Sequence, residues 1–476
     1  MYIPKIIQGG MGIYISIPDL ANITSRAGML GTVSCTAAER ILVHLLQLGD
    51  VDGHYRRALA HFPFPEITER ILARYFIEGG KLLNQKFKEV PLFSLRPRSD
   101  LIELAIMASF ALVWLAKEGH DGPISVNYLE KLQIGHIYHL TGAMLAGVDF
   151  VTMGAGITLQ IPGVLDAIAS GNNPSYHVYV EGSKKGTQII NFNPREFLGE
   201  KFPRELKRPG FLPIVSTDVL AKLMVAKLPS SIQGFIIELP TAGGHNAPPR
   251  EKGVFDNTGQ PVYGKKDEVN FQKINDLGIP FWMAGSFASP EGLTKAQKLG
   301  AFGIQAGSIF ALSEDSGMNP YYRAMMRRRG YRSELSVRTD PTASPTGFPF
   351  KVPQILGTIS DPEIYAARER NCSRKALQFP AEQADGKIVF RCAAEPVKDY
   401  LKKGGKLEDT IGARCLCNGL FSAATLGDPN ELPIFTMGDD VSFLRHLMKD
   451  ENDSYKAIDA IAYLLQSPQR RPDMSQ

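Results

Sequence analysis

The segment PTAGGHNAPP, residues 240–249, places a histidine directly after two glycines and an apolar run, GFIIEL. Two adjacent glycines remove the steric barrier to unusual backbone angles and let another molecule approach the main chain closely. An imidazole titrates near neutral pH, so His245 could take a proton from a bound molecule or donate one to it. His245 is therefore a candidate acid–base residue, and an incidental histidine in a solvated loop is the alternative.

Two segments further along the chain have a composition that suits phosphate binding. MAGSFASPEG and QAGSIFA each place Gly-Ser after an apolar strand pattern and before a helix pattern. Exposed backbone N–H groups at the start of a helix favour a bound anion. These segments predict a phosphate site, and plain turn glycines are the alternative for each position taken singly.

The cysteines and two histidines raise the question of a metal. Four of the five cysteines lie in the C-terminal region, which predicts a structural Zn²⁺ site formed by Cys372, Cys392, Cys415 and Cys417. Only one residue separates the last two, whereas zinc ligands are commonly separated by about two to four, so buried reduced thiols are the alternative. The spacing of His136 and His139 could also suit a metal, but no carboxylate motif accompanies it.

Composition narrows the class of protein. The 476 residues, 44% hydrophobic and 21% charged, are typical of a folded globular protein with one large domain or two. A net charge of +4 is too small to indicate nucleic acid or an anionic membrane as a partner. The N-terminus does not match a signal peptide, and the most apolar run, LIELAIMASFALVWLA, is short for a bilayer span and contains Glu103. We expect a cytoplasmic protein without membrane segments.

The positions of the apolar runs predict the fold that carries these residues. Eight short strand patterns occur in order along the chain: KIIQ, GTVS, ISVN, FVTM, PIVS, GFIIE, PFWM and GIQA. Helical patterns separate most of them, which requires parallel strands and predicts an α/β fold, a (β/α)₈ TIM barrel. An open, doubly wound sheet is the alternative. It is disfavoured because Leu159 stands where the third glycine of a dinucleotide fingerprint would be.

Uneven spacing between the strands predicts additions to the barrel. We assign residues 1–320 to the barrel and 321–476 to a partly helical C-terminal extension. Amphipathic patterns predict a helical insertion over about 36–120. The strand patterns YHVYVEG and GTQIINF, which flank the turn SKK, predict a hairpin insertion over about 175–195. In such barrels the loops after the strands carry the active site, and His245 and both Gly-Ser segments lie in such loops.

Five segments in order resemble one enzyme family. They are IIQGGMGIYISIPDLANITSRAGMLGTVS, SVNYL, AGVDFVTMGAG, TAGGHNAPP and PFWMAGSFASPEGLTKAQKLGAFGIQAGSIFA. Together they resemble the flavin-dependent nitronate monooxygenases, formerly called 2-nitropropane dioxygenases, whose barrel is shared by FMN-dependent enoyl reductases. The resemblance covers most of residues 1–312.

The resemblance implies an FMN site across the barrel mouth, with His245 as the catalytic acid or base. Ser286 departs from the family because many relatives carry glycine there. The implied cofactor-binding residues are Gly10, Met11, Asn127, Met153, Ser216, Gly243, Gly244, Gly285, Ser286, Gly307 and Ser308.

The function that follows from the resemblance is an FMN-dependent oxidoreductase. We expect nitronate monooxygenase-like oxidation of a small carbanion-forming substrate, with oxygen as the second substrate. An enoyl reductase that uses NAD(P)H is one alternative, and a non-catalytic flavin-binding subunit is another. The helical insertion and the C-terminal extension could bind a second copy of the chain or a partner protein.

Overall fold

Eight parallel strands form a closed barrel in the computed structural model, which describes residues 4–184 and 186–467. The sheet order is β1-β10-β9-β8-β7-β4-β3-β2, and a parallel bridge between Ile7 and Leu30 joins its two edges. The predicted (β/α)₈ barrel is therefore confirmed. Its strands are β1 (Ile6–Gln8), β2 (Gly31–Ser34), β3 (Ile124–Leu129), β4 (Phe150–Gly154), β7 (Gly210–Val215), β8 (Phe235–Glu238), β9 (Phe281–Ala284) and β10 (Gly303–Ala306).

The barrel interior is filled by one apolar cluster, and alternation along the strands decides which residues enter it. Buried side chains from successive strands form this cluster, among them Ile7, Phe150, Leu212, Ile236 and Trp282. Because neighbouring residues of a strand point to opposite faces, the residues between these belong to the layer under the helices. Residues two positions further toward the strand ends point inward again, at the barrel mouth.

Helices cover the outside of the barrel. The helix α1 (Pro18–Arg26) follows β1, and each later barrel strand except β10 is followed by a crossover to its neighbour. The helices after β3 to β10 are α6 (His136–Leu145), α7 (Ile161–Ala169), α8 (Pro194–Leu198), α9 (Asp218–Lys227), α10 (Phe271–Asn275), α11 (Pro290–Lys298) and α12 (Ser308–Ala311).

Four helices lie between β2 and β3. They are α2 (Ala38–Gln47), α3 (His54–Ala60), α4 (Pro65–Tyr75) and α5 (Ser99–Lys117). The helix α5 is long and apolar enough to cross a membrane, but 78% of that stretch is buried inside the protein. It packs against α1, α2, α3 and α6, so its apolar composition is accounted for by burial within this fold.

A β-hairpin lies between β4 and β7 in the chain. Its strands, β5 (Ser175–Tyr179) and β6 (Thr187–Asn191), pair antiparallel with Ser175 opposite Asn191. Lys185 of the predicted turn lies outside the described residues.

The C-terminal residues pack onto the barrel. The last helix contacts α1, α11 and α12, and the Tyr455 hydroxyl donates to the Ile309 carbonyl at 2.7 Å. The elements of this region are α13 (Pro320–Tyr331), β11 (Val337–Asp340), β12 (Phe350–Pro353), α14 (Pro362–Ala367), β13 (Phe379–Glu382), β14 (Ile388–Arg391), α15 (Val397–Lys402), α16 (Leu416–Ala423), α17 (Leu444–Leu447) and α18 (Ala457–Leu464).

The close crossing of α5 and α6 depends on a glycine. A Cβ atom at Gly142 would lie 1.9 Å from the Ile106 carbonyl oxygen, so the helices could not keep their separation. We expect Gly142→Ala to lower the free energy of unfolding by about 1–3 kcal/mol through overpacking. Urea denaturation at neutral pH measures this effect.

The matched control is Gly163→Ala in α7, where an added Cβ meets no atom within 4 Å. Removing glycine's backbone freedom from an open helical position should raise stability by about 0.5–1 kcal/mol. Equal effects of the two substitutions would contradict this account of the α5–α6 contact.

Candidate active site

A cavity of about 240 Å³ opens at the mouth of the barrel, where the strands end. It collects residues from the loops after β1, β3, β8, β9 and β10, as the loop positions in the sequence predict. Ten of the predicted site residues line it: Gly10, Met11, Asn127, Gly243, Gly244, His245, Gly285, Ser286, Gly307 and Ser308.

Two predicted residues do not line this cavity. Met153 is fully buried in the cluster under the helices, because its neighbour Gly154 takes the inward position at the end of β4. Ser216 follows β7, and the residue of that strand that faces the cavity is Ile214. At the end of β4 the residue that lines the cavity is therefore Gly154 and not Met153.

The loops after β9 and β10 form an anion-binding surface. Within the described part of the chain, the backbone N–H groups of Gly285, Ser286, Gly307 and Ser308 make no hydrogen bond. Gly285 and Ser286 have φ angles of 101° and 58°, a turn that exposes successive N–H groups. Such a set of oriented N–H groups suits a phosphate.

Glycines on two other loops leave the cavity wall bare. A Cβ atom at Gly10 would lie 2.2 Å from Asn127 Cβ, so only glycine allows these loops to meet. Gly244 has a φ of 88°, and a Cβ there would meet no atom within 4 Å. Asn127 Oδ1 accepts from Thr152 Oγ1 at 3.1 Å, which leaves the amide nitrogen of Asn127 for a ligand.

His245 is held by residues of the C-terminal region. Its Nε2 lies 2.8 Å from Ser344 Oγ, and its ring centroid is 4.8 Å from that of Phe350. Burial lowers the pKa of His245 to about 4, and the positive charge of Lys131 adds to this effect. The imidazole is therefore neutral at pH 7.

The C-terminal region also supplies part of the cavity wall, which the sequence analysis did not assign. The Gly244 N–H donates to Thr436 Oγ1 at 2.7 Å, and the Gly438 N–H donates to Ser308 Oγ at 2.9 Å. The lining residues from this region are Phe350, Leu420, Thr436, Met437, Gly438 and Asp440. The only local signal was the glycine in TMGDD, which follows no barrel strand.

Glu238 is another residue that the sequence analysis missed. It ends β8 and lines the cavity, two positions after the buried Ile236. Burial raises the pKa of the Glu238 carboxyl to about 8. The available signal was its place at the end of a strand, directly before the histidine loop.

A second cavity, of about 740 Å³, adjoins the first. It lies between the loop after β3, the β5–β6 hairpin and the C-terminal region. The two cavities share Thr36, Tyr128 and Leu129 in their walls.

Buried polar residues in the wall of this second cavity contact other protein groups. His139 Nε2 lies 3.3 Å from Glu39 Oε2, and His139 Nδ1 lies 3.0 Å from Ser109 Oγ. His136 Nε2 lies 3.0 Å from the Glu130 carbonyl oxygen. Protein groups thus lie within contact distance of ring nitrogens of both histidines.

The predicted zinc site is not supported. Cys392, Cys415 and Cys417 lie in a small buried apolar cluster near Cys372. Among residues 4–184 and 186–467, no three His, Cys, Asp or Glu side chains are grouped to hold a metal. Burial raises the pKa of all four thiols, and nothing in the described residues supports the predicted zinc.

Comparison with known proteins agrees with the resemblance seen in the sequence. No protein family model matches the chain. Over 146 residues the chain is 25% identical to a protein described as "Probable nitronate monooxygenase" from Staphylococcus saprophyticus. The match covers 29% of this chain and 38% of that relative, so it spans well under half of the relative's length. The resemblance to nitronate monooxygenases is confirmed over this part of the chain.

Solved structures were also matched, at TM-scores below 0.5. FabK from Thermotoga maritima has a TM-score of 0.46 at 15% identity, with 97% of this chain and 91% of that chain covered. A nitroalkane oxidase from Streptomyces ansochromogenes has a TM-score of 0.44 at 14% identity, with 97% and 96% covered.

The low pKa of His245 predicts how the residue affects stability. In the unfolded chain the imidazole takes up a proton as the pH falls below about 6.5, whereas in the folded protein it does so only near pH 4. The neutral imidazole of His245 therefore contributes fully to the free energy of unfolding above pH 6.5, and this contribution is lost as the pH falls toward 4. We expect the wild type to lose about 1–2 kcal/mol more than His245→Gln between pH 7 and pH 5.

Denaturant unfolding of both proteins at the two pH values measures the difference. The other buried histidines titrate in both proteins and cancel in the comparison. Parallel losses in wild type and variant would show that His245 has an ordinary pKa.

Proposed function

We propose that the protein is an FMN-dependent oxidoreductase with its active site at the barrel mouth. The observation that carries the proposal is that one cavity is faced by a neutral histidine and by four backbone N–H groups without hydrogen-bond partners among the described residues. Similarity over 146 residues to a probable nitronate monooxygenase supports it. Bound FMN supplies the electron transfer, and the protein binds, orients and moves protons.

The residues of the cavity fit the parts of the cofactor. The N–H groups of Gly285, Ser286, Gly307 and Ser308 are placed to bind the phosphate. The bare main chain at Gly244 leaves space for a flat ring to approach. Asn127, Met11 and Gly10 would contact that ring from the opposite loops, as the family resemblance implies.

His245 would act as the base in the reaction. Ser344 contacts Nε2, which leaves Nδ1 without a partner among the described residues. A neutral imidazole can take the proton from carbon beside a nitro group, and the electron pair left behind is delocalised onto the nitro oxygens as a nitronate. Bound FMN would supply the oxidation of that anion. Nitronate monooxygenase-like oxidation of a small carbanion-forming substrate, with oxygen as the co-substrate, is the leading reaction.

The second cavity favours another candidate reaction. A volume of about 740 Å³ is in the range that holds a drug-sized ligand, far larger than a simple nitronate. An enoyl reductase that takes hydride from NAD(P)H and reduces a carrier-bound double bond would use this space. Rapid anaerobic bleaching of the flavin by NAD(P)H supports this candidate, whereas cycling with a nitronate and oxygen alone supports the first.

A charge placed among the free N–H groups tests the cofactor site. We expect Gly307→Asp to weaken FMN binding at least about tenfold, or ~1.4 kcal/mol, because its carboxylate would repel the phosphate. Gly307→Ala is the matched control, since its Cβ would make only ordinary contacts with Met11 at 3.5 Å. Fluorescence titration of the cofactor-free proteins measures both constants. Equal affinities would exclude a phosphate from this position.

Replacement of His245 tests the proposed base. We expect His245→Gln to retain bound flavin while turnover of a neutral nitroalkane falls by about two to four orders of magnitude. His177→Gln, on the exposed face of β5, is the control and should leave turnover unchanged. Steady-state oxygen consumption is the measurement. Unchanged turnover in His245→Gln would instead favour a flavin-binding protein in which this histidine has no catalytic role.

A further inference from the structure

A buried arginine in the wall of the second cavity has few of its hydrogen bonds satisfied. Arg40 lies in the first turn of α2, and its side chain is only 5% exposed. Nη1 donates to the Val90 carbonyl at 3.5 Å, which is long for a hydrogen bond. Nε is buried without a hydrogen bond, and Nη2 contacts no acceptor in the part of the chain that the structure describes. Because a guanidinium carries five N–H donors, most of the hydrogen-bonding capacity of Arg40 is unused.

The protein balances the charge of Arg40 only in part. Glu39 Oε1 lies 3.5 Å from Arg40 Nε, and Glu39 Oε2 lies 3.3 Å from His139 Nε2. One carboxylate is thus shared between two basic side chains, and neither contact has the geometry of a hydrogen bond. Buried cations are normally paired and hydrogen-bonded, because their removal from water is costly. An oxyanion of a ligand would supply the partner that Arg40 lacks.

The other lysine and acidic side chains in the described part of this wall are paired or exposed. Glu181 pairs with Arg391, and Asp409 Oδ2 accepts from the Tyr400 hydroxyl at 3.1 Å. Those that are exposed to solvent are Lys131, Lys375 and Glu408. A ligand anion that leaves water for this cavity would therefore meet its strongest attraction at the buried Arg40.

The rest of the wall favours a ligand with an apolar body. Large apolar side chains line it, among them Phe93, Leu132, Leu377, Phe379 and Phe390. The volume of about 740 Å³ lies in the range that holds a drug-sized ligand. One oxyanion on a long apolar chain matches both the arginine and this wall. A nucleotide would instead place many polar groups against apolar side chains, which is costly.

We propose that the second cavity binds a carboxylic acid with a long apolar body, whose carboxylate pairs with Arg40. The planar guanidinium suits a carboxylate because it can donate two parallel N–H bonds to its two oxygens. The bound acid would lie beside the flavin cavity, since Thr36, Tyr128 and Leu129 belong to both walls. The site goes beyond the proposed function and is tested without any flavin chemistry.

A series of ligands tests both ends of the proposed acid. Isothermal titration calorimetry of the purified protein with straight-chain carboxylates, from hexanoate to dodecanoate, measures the affinities. Each added CH₂ group should tighten binding about threefold to fourfold until the cavity is filled. Dodecanamide has nearly the same shape without the negative charge, and it should bind at least about tenfold more weakly than dodecanoate.

Replacement of the arginine tests its part in binding. Arg40→Met removes the cation and keeps an unbranched side chain, so dodecanoate should bind about 10- to 100-fold more weakly, and dodecanamide within about threefold of the wild type. Lys375→Met is the matched control, because it removes an exposed positive charge from the same wall. It should bind dodecanoate within about twofold of the wild type. If Arg40→Met fails to fold, Arg40→Lys keeps the charge without the planar fork and should still bind dodecanoate more weakly.

Several results would overturn the proposal. Equal affinities of the wild type for dodecanoate and dodecanamide would exclude recognition of the carboxylate, and equal losses in Arg40→Met and Lys375→Met would exclude a particular role of Arg40. Displacement of dodecanoate by lower concentrations of NADPH or coenzyme A would assign the cavity to a nucleotide. The same titrations on protein without FMN should give the carboxylate preference again, so failure of the flavin proposal leaves this one standing.

Discussion

The site depends on the closure of the barrel between β1 and β2. The Gln8 N–H donates to the Leu30 carbonyl at 3.0 Å, and the Leu30 N–H donates to the Ile6 carbonyl at 3.1 Å. These bonds join the first strand to its neighbour and bring the loops after all eight parallel strands to one rim. Without closure, the loop after β1 would not meet Asn127 of β3, whose Cβ lies only 2.2 Å from where a Cβ at Gly10 would be.

The C-terminal region holds the catalytic candidate His245 and supplies part of the cavity wall. Ser344 and Phe350 hold the imidazole of His245, and Thr436 and Gly438 bind the loops on either side of the cavity. Residues from α18 and the preceding segment also share the hydrophobic core of the barrel helices. The chemistry of the site is therefore coupled to residues about 100 to 200 positions from the histidine.

Much of the site could be predicted because it follows from local patterns and one rule of geometry. Apolar runs marked the eight strands, and parallel strands place the loops after them on one rim, which located His245 and the Gly-Ser pairs. The direction of a side chain depends on strand register, and Met153 was therefore assigned one position away from the residue that faces the cavity. Cysteine spacing likewise did not reveal whether thiols converge on a metal. The positions of Glu238 and of the C-terminal residues at the cavity were not predicted, because burial and long-range packing cannot be deduced from the composition of a short segment.

The central claim is that the rim of this barrel binds one FMN through a single phosphate site. Release of the cofactor from the purified protein by heat, followed by chromatography and quantification, tests this most directly. The account predicts a yellow protein that releases about one equivalent of FMN per chain. The loops after β9 and β10 provide N–H groups without partners among the described residues, and the sequence has no dinucleotide fingerprint. Recovery of stoichiometric FAD, or of no flavin after reconstitution with FMN, would contradict it.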